Sequence, residues 1–371
     1  MDSVLEKLGA REIINAAGTM TYLGSSPIHP EVKKEINKIA DKWVEVERLQ
    51  ERAGGKISEI TGSESGLAAA SAAAGITLST AACMTGKNIV KIRALPDTEN
   101  LNKDVVLIQR GHLVDYGASI DNAIKLAGAG LCEIGNVNKT SPEEMKKNLE
   151  QNSTITAALY VVSHHTSQYG SIDFNQFAQI ANENKVPVIV DAAAEYNFSE
   201  YIQLGADLVI CSGHKFLYGP TSGLIAGREN LVEAIKKQKY GIGRSMKTSK
   251  EAVVGLIAAL NVWQKRDLQN ELKEMEKKAN YFINKAENIE GLKLSKVKDV
   301  TGNPILRVEV YFKDDFGISA EKASQKLKNC GQPIFVRDYH TEQNYFKLDL
   351  RFVDENELDY IYKALKKIKY S

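Results

Sequence analysis

The amino-acid sequence predicts an α/β fold, a large domain on a mostly parallel sheet followed by a small C-terminal α+β domain. Two observations predict it. Short apolar runs alternate with helical patterns through the middle of the chain, as expected when parallel strands are joined by crossover helices. After about residue 245 the order changes to one long helical stretch, then strands followed by helices. A chain of 371 residues can bury the core of a large domain and a smaller one.

Taken in order, residues 1–25 predict an N-terminal arm and residues 26–248 the large α/β domain. Its strands are DVVLIQ (104–109), ITAALYVVS (155–163), VPVIVDA (186–192), ADLVICS (206–212) and SGLIAG (222–227). Helical patterns at 141–152 and 173–184 lie between them. The first starts with Ser141 as N-cap and Pro142 at the first helical position. Residues 249–371 predict a linking helix, placed over 250–288, and the small domain. That domain has strands at 303–312, 333–339 and 346–353, and helices at 319–329 and 354–369.

Composition excludes several classes. Hydrophobic residues make up 43% and charged residues 26%, ordinary for a globular protein. A net charge of +1 argues against a broad nucleic-acid surface. The four cysteines form no C-x-x-C pair, so they suggest reduced core residues rather than a disulfide framework or zinc site. No apolar run approaches the roughly 20 residues of a membrane span. The N-terminus has no signal-peptide core, and the expected location is cytoplasmic.

The stretch SGHKFLYGPTSG (212–223) places Lys215 directly after a buried strand, among glycines. Water-poor surroundings disfavour an ammonium, and a neutral amine can attack a carbonyl to form a Schiff base. A loop lysine on the surface is the alternative. Two further features stand beside it. Asp191 ends the strand in VPVIVDA, where a carboxylate needs a partner such as a protonated ring nitrogen; a helix cap or a metal ligand would also suit it. The run TGSESGLAAASAAAGITLSTAACM (61–84) consists largely of small residues and opens a helix. Such a helix start can hold a phosphate on its N–H groups, or simply pack tightly. In open α/β sheets ligands bind beyond the carboxyl ends of the strands. A phosphate cradle, an aspartate and a lysine in that order match enzymes that carry pyridoxal 5′-phosphate on the aspartate-aminotransferase fold (fold type I).

The motifs INAAGTMTYLGSSPIHPEV (14–32), IQRGHLVDYGA (108–118), VVSHHTSQYGSI (161–172), VIVDAAAE (188–195), SGHKFLYGPTSGLIAG (212–227) and GIGRSMKTSKEAVVGLIAAL (241–260), with the small-residue run, carry a resemblance. The chain resembles the selenocysteine-synthase-like group of pyridoxal-phosphate enzymes, and within it the D-glucosaminate-6-phosphate ammonia-lyases. The resemblance implies that Ser71, Ala72 and Ala73 hold the cofactor phosphate. Ser212 and His214 would assist, Asp191 would pair with the ring nitrogen, and Ala193 would pack near the ring. His112 would stack on the ring or else be a loop histidine. Arg244, Lys247 and Arg110 would hold an anionic amino-acid substrate or be surface cations. Asn15 and Thr19, in the arm, would reach a neighbouring subunit's site in a homodimer or higher homo-oligomer. Arg351 is a carboxylate clamp by fold analogy, or a surface residue of its strand.

His164 and His165, taken as neighbours on a strand, would face opposite ways and share no metal. Gln168 is expected near the cofactor ring. The resemblance further implies that Lys215, once displaced by substrate, removes the α-proton. Loss of a β-hydroxyl then gives a 2-keto-3-deoxy acid and ammonia. The alternatives are a selenocysteine-forming β-replacement on seryl-tRNA, a cysteine desulfurase or β-lyase, and a non-catalytic cofactor binder. The first is disfavoured by the near-neutral charge and by a chain that starts almost at INAAG. The second lacks an evidently activated cysteine. The third would predict a broken lysine or aspartate, and both are intact.

Overall fold

The computed structural model describes residues 4–370. Residues 1–3 and 371, the outer ends of the expected arm and small domain, lie outside the described residues. The chain forms two compact units, one of residues 27–266 and one of residue 267 onward together with the residues before Pro27.

The first strand, β1 (Ile14–Ala16), belongs to the smaller unit. The larger unit is built on a seven-stranded sheet. Its strands are β2 (Ser65–Ala69), β3 (Val105–Gln109), β4 (Gly130–Ile134), β5 (Ile155–Val161), β6 (Val188–Asp191), β7 (Leu208–Ser212) and β8 (Gly223–Gly227). Their spatial order is β2-β8-β7-β6-β5-β3-β4. β8 runs antiparallel to both neighbours, and the other pairs are parallel. The sheet is buried on both faces. Val106, Ile108, Ile189 and Ile210 join the cluster around helix Ala72–Thr85, while the intervening Leu107, Val190 and Val209 are equally buried. That double burial is why these strands appear as continuous apolar runs.

Two strands of the larger unit, β2 and β4, lay hidden in the sequence, as did β1 and β9 (Leu292–Lys298) of the smaller unit. β2 falls inside the small-residue run. Its Gly66 lies so close to Gly54 that a Cβ on Gly54 would meet the Gly66 carbonyl oxygen at 2.4 Å. Close helix–strand approach thus selects small side chains over β-branched ones. β4 is an edge strand, half-exposed, so its apolar run is interrupted.

The stretch expected as one linking helix over 250–288 is two helices, Lys250–Gln264 and Leu268–Ala286. The Asp267 carboxylate accepts the Asn270 N–H at 3.0 Å and starts the second. The first packs on helices Pro30–Ala40 and Val46–Thr61 within the larger unit, so the boundary falls after Arg266 rather than after residue 248.

In the smaller unit β9 (Leu292–Lys298), β10 (Leu306–Phe312) and β12 (Tyr345–Asp349) form an antiparallel sheet in the order β12-β10-β9. β11 (Ile334–Val336) pairs in parallel with β1. Helices Leu268–Ala286, Ala320–Lys328 and Glu355–Tyr370 complete it. No helix among the described residues is long and apolar enough to cross a membrane.

Candidate active site

Strand register assembles the site. Gly223 of β8 pairs with Ala69 on one side and Ser212 on the other. In the next strands Ile210 pairs with Asp191, and Asp191 with Val161. The ends of β2, β7, β6 and β5 therefore lie along one edge of the sheet. Ser212 and Asp191 are the last residues of β7 and β6, and Ser71 and Lys215 come just after the ends of β2 and β7.

Ser71 caps helix Ala72–Thr85, its Oγ accepting the Ala74 N–H at 3.0 Å. The N–H groups of Ala72 and Ala73 are thereby left at the helix start, the orientation that attracts a phosphate. Gly223 keeps that start accessible to β8. A Cβ there would lie 2.5 Å from the Ser71 carbonyl carbon and 2.8 Å from the Ala72 nitrogen. Next along the edge, Ser212 Oγ and His214 Nδ1 share a hydrogen bond of 3.1 Å.

Lys215 is half-buried, and its charge acts on three groups around it. Asp191 is buried, and burial raises its pKa against the opposing pull of Lys215 and of the Ala193 N–H, which donates to its Oδ1 at 3.1 Å. His214 is lowered by burial first and then by Lys215. The Cys211 thiol is driven far up by burial, which leaves it without thiolate character. Desolvation disfavours the carboxylate here, so a positively charged partner such as a protonated ring nitrogen would stabilise it.

His112 is 2% exposed, and its Nδ1 accepts the Val161 N–H at 3.1 Å. Burial pushes its pKa down to about 4. The Tyr160 ring meets the imidazole edge-on, with centroids 4.5 Å apart. His112 is thus a neutral imidazole with a fixed tautomer, next along the edge from Asp191.

Other expected positions fall differently. Arg110 has a carboxylate of its own, Glu133, at 3.0 Å. Arg244 and Lys247 are exposed at and beside the short helix Ile242–Met246, and among the described residues neither pairs with a carboxylate. Gln168 is exposed, and its amide donates to Ser163 and Thr166 within its own loop. His164 and His165 are not on a strand: β5 ends at Val161, and the two rings lie together in a turn with centroids 3.9 Å apart. No cluster of three or more metal-ligating residues occurs among the described residues.

Three expected residues lie in the smaller unit. The Asn15 side chain is occupied in a turn, accepting from Ala17 and Gly18 N–H and donating to the Gly18 carbonyl. Thr19 follows that turn, half-buried. Arg351 is not a surface residue. It is buried on Asp349, which also binds Arg307.

The sequence reading passed over two residues. Tyr116 is raised to about 12, by burial first and then by the charge of Asp191. It lies in the motif IQRGHLVDYGA, which was its only signal. Gln109 is fully buried and holds Ile172 through both its N–H and its carbonyl, at 2.7 and 3.3 Å, tying the loop after β5 to the end of β3.

The fold and this edge define the class: a pyridoxal-phosphate-dependent enzyme of fold type I. The residues fit that cofactor, with a capped helix start cleared by Gly223 at one end and a buried aspartate beside a lysine at the other. Comparison with known proteins narrows the class. The family model "SelA: L-seryl-tRNA selenium transferase" matches residues 13–353, and the chain belongs to that family. It is 35% identical to D-glucosaminate-6-phosphate ammonia lyase of Salmonella typhimurium, over 99% of this chain and 98% of that one. It is 30% identical to a 5′-C-glycyluridine monooxygenase-decarboxylase of Streptomyces sp, over 98% and 91%. A solved structure of D-glucosaminate-6-phosphate ammonia-lyase superposes with a TM-score of 0.89 at 34% identity, covering 100% of this chain and 99% of the other.

Proposed function

We propose that the chain is an ammonia-lyase acting on a phosphorylated 2-amino sugar acid of the D-glucosaminate 6-phosphate type. The observation that carries this reading is the end-to-end likeness to that lyase, in sequence and in backbone. Ser71, Ala72 and Ala73 bind the cofactor phosphate, with Ser212 and His214 beside them. Asp191 would pair with the ring nitrogen, Ala193 would lie near the ring, and neutral His112 would stack on its face. The bound cofactor supplies an electron-withdrawing ring that makes the substrate's α-proton removable.

Lys215 Nζ takes that proton. The β-hydroxyl leaves as water, and hydrolysis of the resulting enamine releases ammonia and the 2-keto acid. Arg244 and Lys247, exposed cations, receive the substrate's anionic groups; Arg110 is committed to Glu133. The chain works as a homodimer or larger homo-oligomer. Trp43 and Tyr169, 101% and 86% exposed, are apolar surface that a second copy would cover. A cytoplasmic location accords with cysteines that are all free.

The test is an assay of ammonia and 2-keto acid from D-glucosaminate 6-phosphate, with Lys215→Ala as control. Equal release of both, abolished in the variant, is the expected result. Cofactor attached at Lys215 but no product would discard this substrate. Seryl-tRNA is then the second reading, because the family description itself names it.

A further inference from the structure

Arg266 reaches the loop that carries Lys215 from a distant part of the chain. We infer that Arg266 is a positioning residue for Lys215. Its guanidinium donates to the Phe216 carbonyl and, at 3.2 Å, to the Tyr218 hydroxyl. It also lies over the Tyr218 ring at 4.3 Å and the Trp263 ring at 4.9 Å. Phe216 and Tyr218 follow Lys215 by one and three positions. Arg266 therefore grips the loop immediately after the reactive lysine by backbone, ring and hydroxyl at once.

The loop needs such a grip. Tyr218 has φ 57, a left-handed conformation that is unfavourable for an aromatic residue. Its N–H makes a long 3.4 Å bond to the Lys215 carbonyl. Its own carbonyl accepts the His29 N–H at 2.9 Å. The turn is closed by Gly219 N–H to the Gly213 carbonyl, at 2.9 Å, and Gly219 has no room for a Cβ, which would meet that same oxygen at 2.8 Å. Beneath it, Phe216 stacks on Tyr196 with centroids 4.9 Å apart and meets Trp263 edge-on at 5.0 Å. These aromatic faces attract a guanidinium, and its planar fork reaches two acceptors at once. Arg266 is also the last residue of the larger unit. The residue that fixes the lysine loop is the one at which the chain leaves this unit.

This role rests on Lys215 as the attachment point of the cofactor, not on the substrate. The experiment uses apoprotein mixed with pyridoxal 5′-phosphate. Covalent capture at Lys215 is followed by borohydride quenching and peptide mass spectrometry. Affinity for pyridoxine 5′-phosphate, which has no aldehyde, is measured alongside. In Arg266→Met capture should slow about tenfold or more while pyridoxine phosphate affinity stays within about twofold, since misplacing a reacting group costs rate and not phosphate binding. Arg266→Lys should recover part of the rate, and Tyr218→Phe should slow it in the same direction.

Unchanged capture in Arg266→Met would overturn the assignment. So would a parallel fall in both quantities, the mark of a site that has merely come apart. If Arg266→Met does not fold, unchanged capture in both Arg266→Lys and Tyr218→Phe would overturn it equally. Wild-type protein captured at some other lysine would remove the reading of the site, and this inference with it.

Discussion

The backbone N–H of Val161 donates to Nδ1 of His112 at 3.1 Å. This bond occupies the nitrogen that a proton would otherwise take, at the end of the strand paired with the one carrying Asp191. Together with burial it makes His112 a neutral group whose pKa lies near 4 in the folded protein. Unfolded, a histidine titrates near 6.5.

The first prediction is a pH dependence of stability. Between about pH 6.5 and 4 the unfolded chain binds a proton that the native His112 does not. Stability therefore rises with pH through this window and is lost as pH falls. The span is worth up to about 3 kcal/mol. Denaturant unfolding at pH 7 and pH 5 should show a larger loss in wild type than in His112→Asn. The same loss in both would mean that His112 keeps its proton when folded.

The second prediction concerns Gly223. A methyl group there meets backbone of Ser71 and Ala72, which has no flexible end to yield. Overpacking of this kind costs about 1–3 kcal/mol. The strain falls on the start of helix Ala72–Thr85, so Gly223→Ala should weaken cofactor affinity about tenfold or more. Fluorescence titration of the apoprotein with pyridoxal phosphate checks this. Undiminished affinity would place the phosphate elsewhere.

The third prediction lies in the smaller unit. Asp349 is fully buried between Arg351, at 2.8 Å, and Arg307, at 3.1 Å. These two guanidiniums hold its pKa well below the usual carboxylate range despite its burial, and they also lower Arg337 in concert with desolvation. Removing the carboxylate takes a counter-charge from two buried guanidiniums, of which Arg307 keeps Asp299 at 2.6 Å, and breaking such a buried pair costs about 3–5 kcal/mol. Asp349→Ala should show that loss in denaturant unfolding at neutral pH. Because the folded pKa is depressed, the contribution is complete above the unfolded value near 3.9 and declines below it. A variant as stable as wild type would show that the arginines hold each other apart without it.

How much of this was legible in the sequence depended on what each residue answers to. Lys215 and Asp191 stand at the ends of buried, β-branched strands, and such strands declare themselves, so both were visible. β2 was not, because the approach of Gly54 to Gly66 excludes the residues that mark a strand. The break at Lys265–Asp267 was missed because the flanking helices keep a continuous helical pattern across it. Arg266 was invisible for a different reason. Its partners, Phe216 and Tyr218, lie far back in the chain and are brought to it only by tertiary packing. His164 and His165, whose rings lie tilted against each other, were misread because β5 stops at Val161, before the pair begins.

The last prediction isolates the charge of Asp191 from its shape. The carboxyl is buried, accepts the Ala193 N–H at 3.1 Å, and is raised by desolvation against the pull of Lys215. Asn fills the same volume and can accept the same N–H, but it cannot offset a positive charge on a ring nitrogen. Asp191→Asn should therefore still fold and still capture the cofactor at Lys215, because neither step needs the ring to be protonated. The chemical step does need it, since an unprotonated ring is a weaker electron sink. Loss of one such electrostatic partner costs about 10²–10³ in kcat. The measurement is capture by borohydride reduction set beside kcat in the same preparation. Full capture with collapsed kcat would assign the ring partner to Asp191. Loss of capture would mean that Asp191 serves to shape the edge of the sheet around Lys215, and wild-type turnover would mean that the ring nitrogen takes its proton from another group.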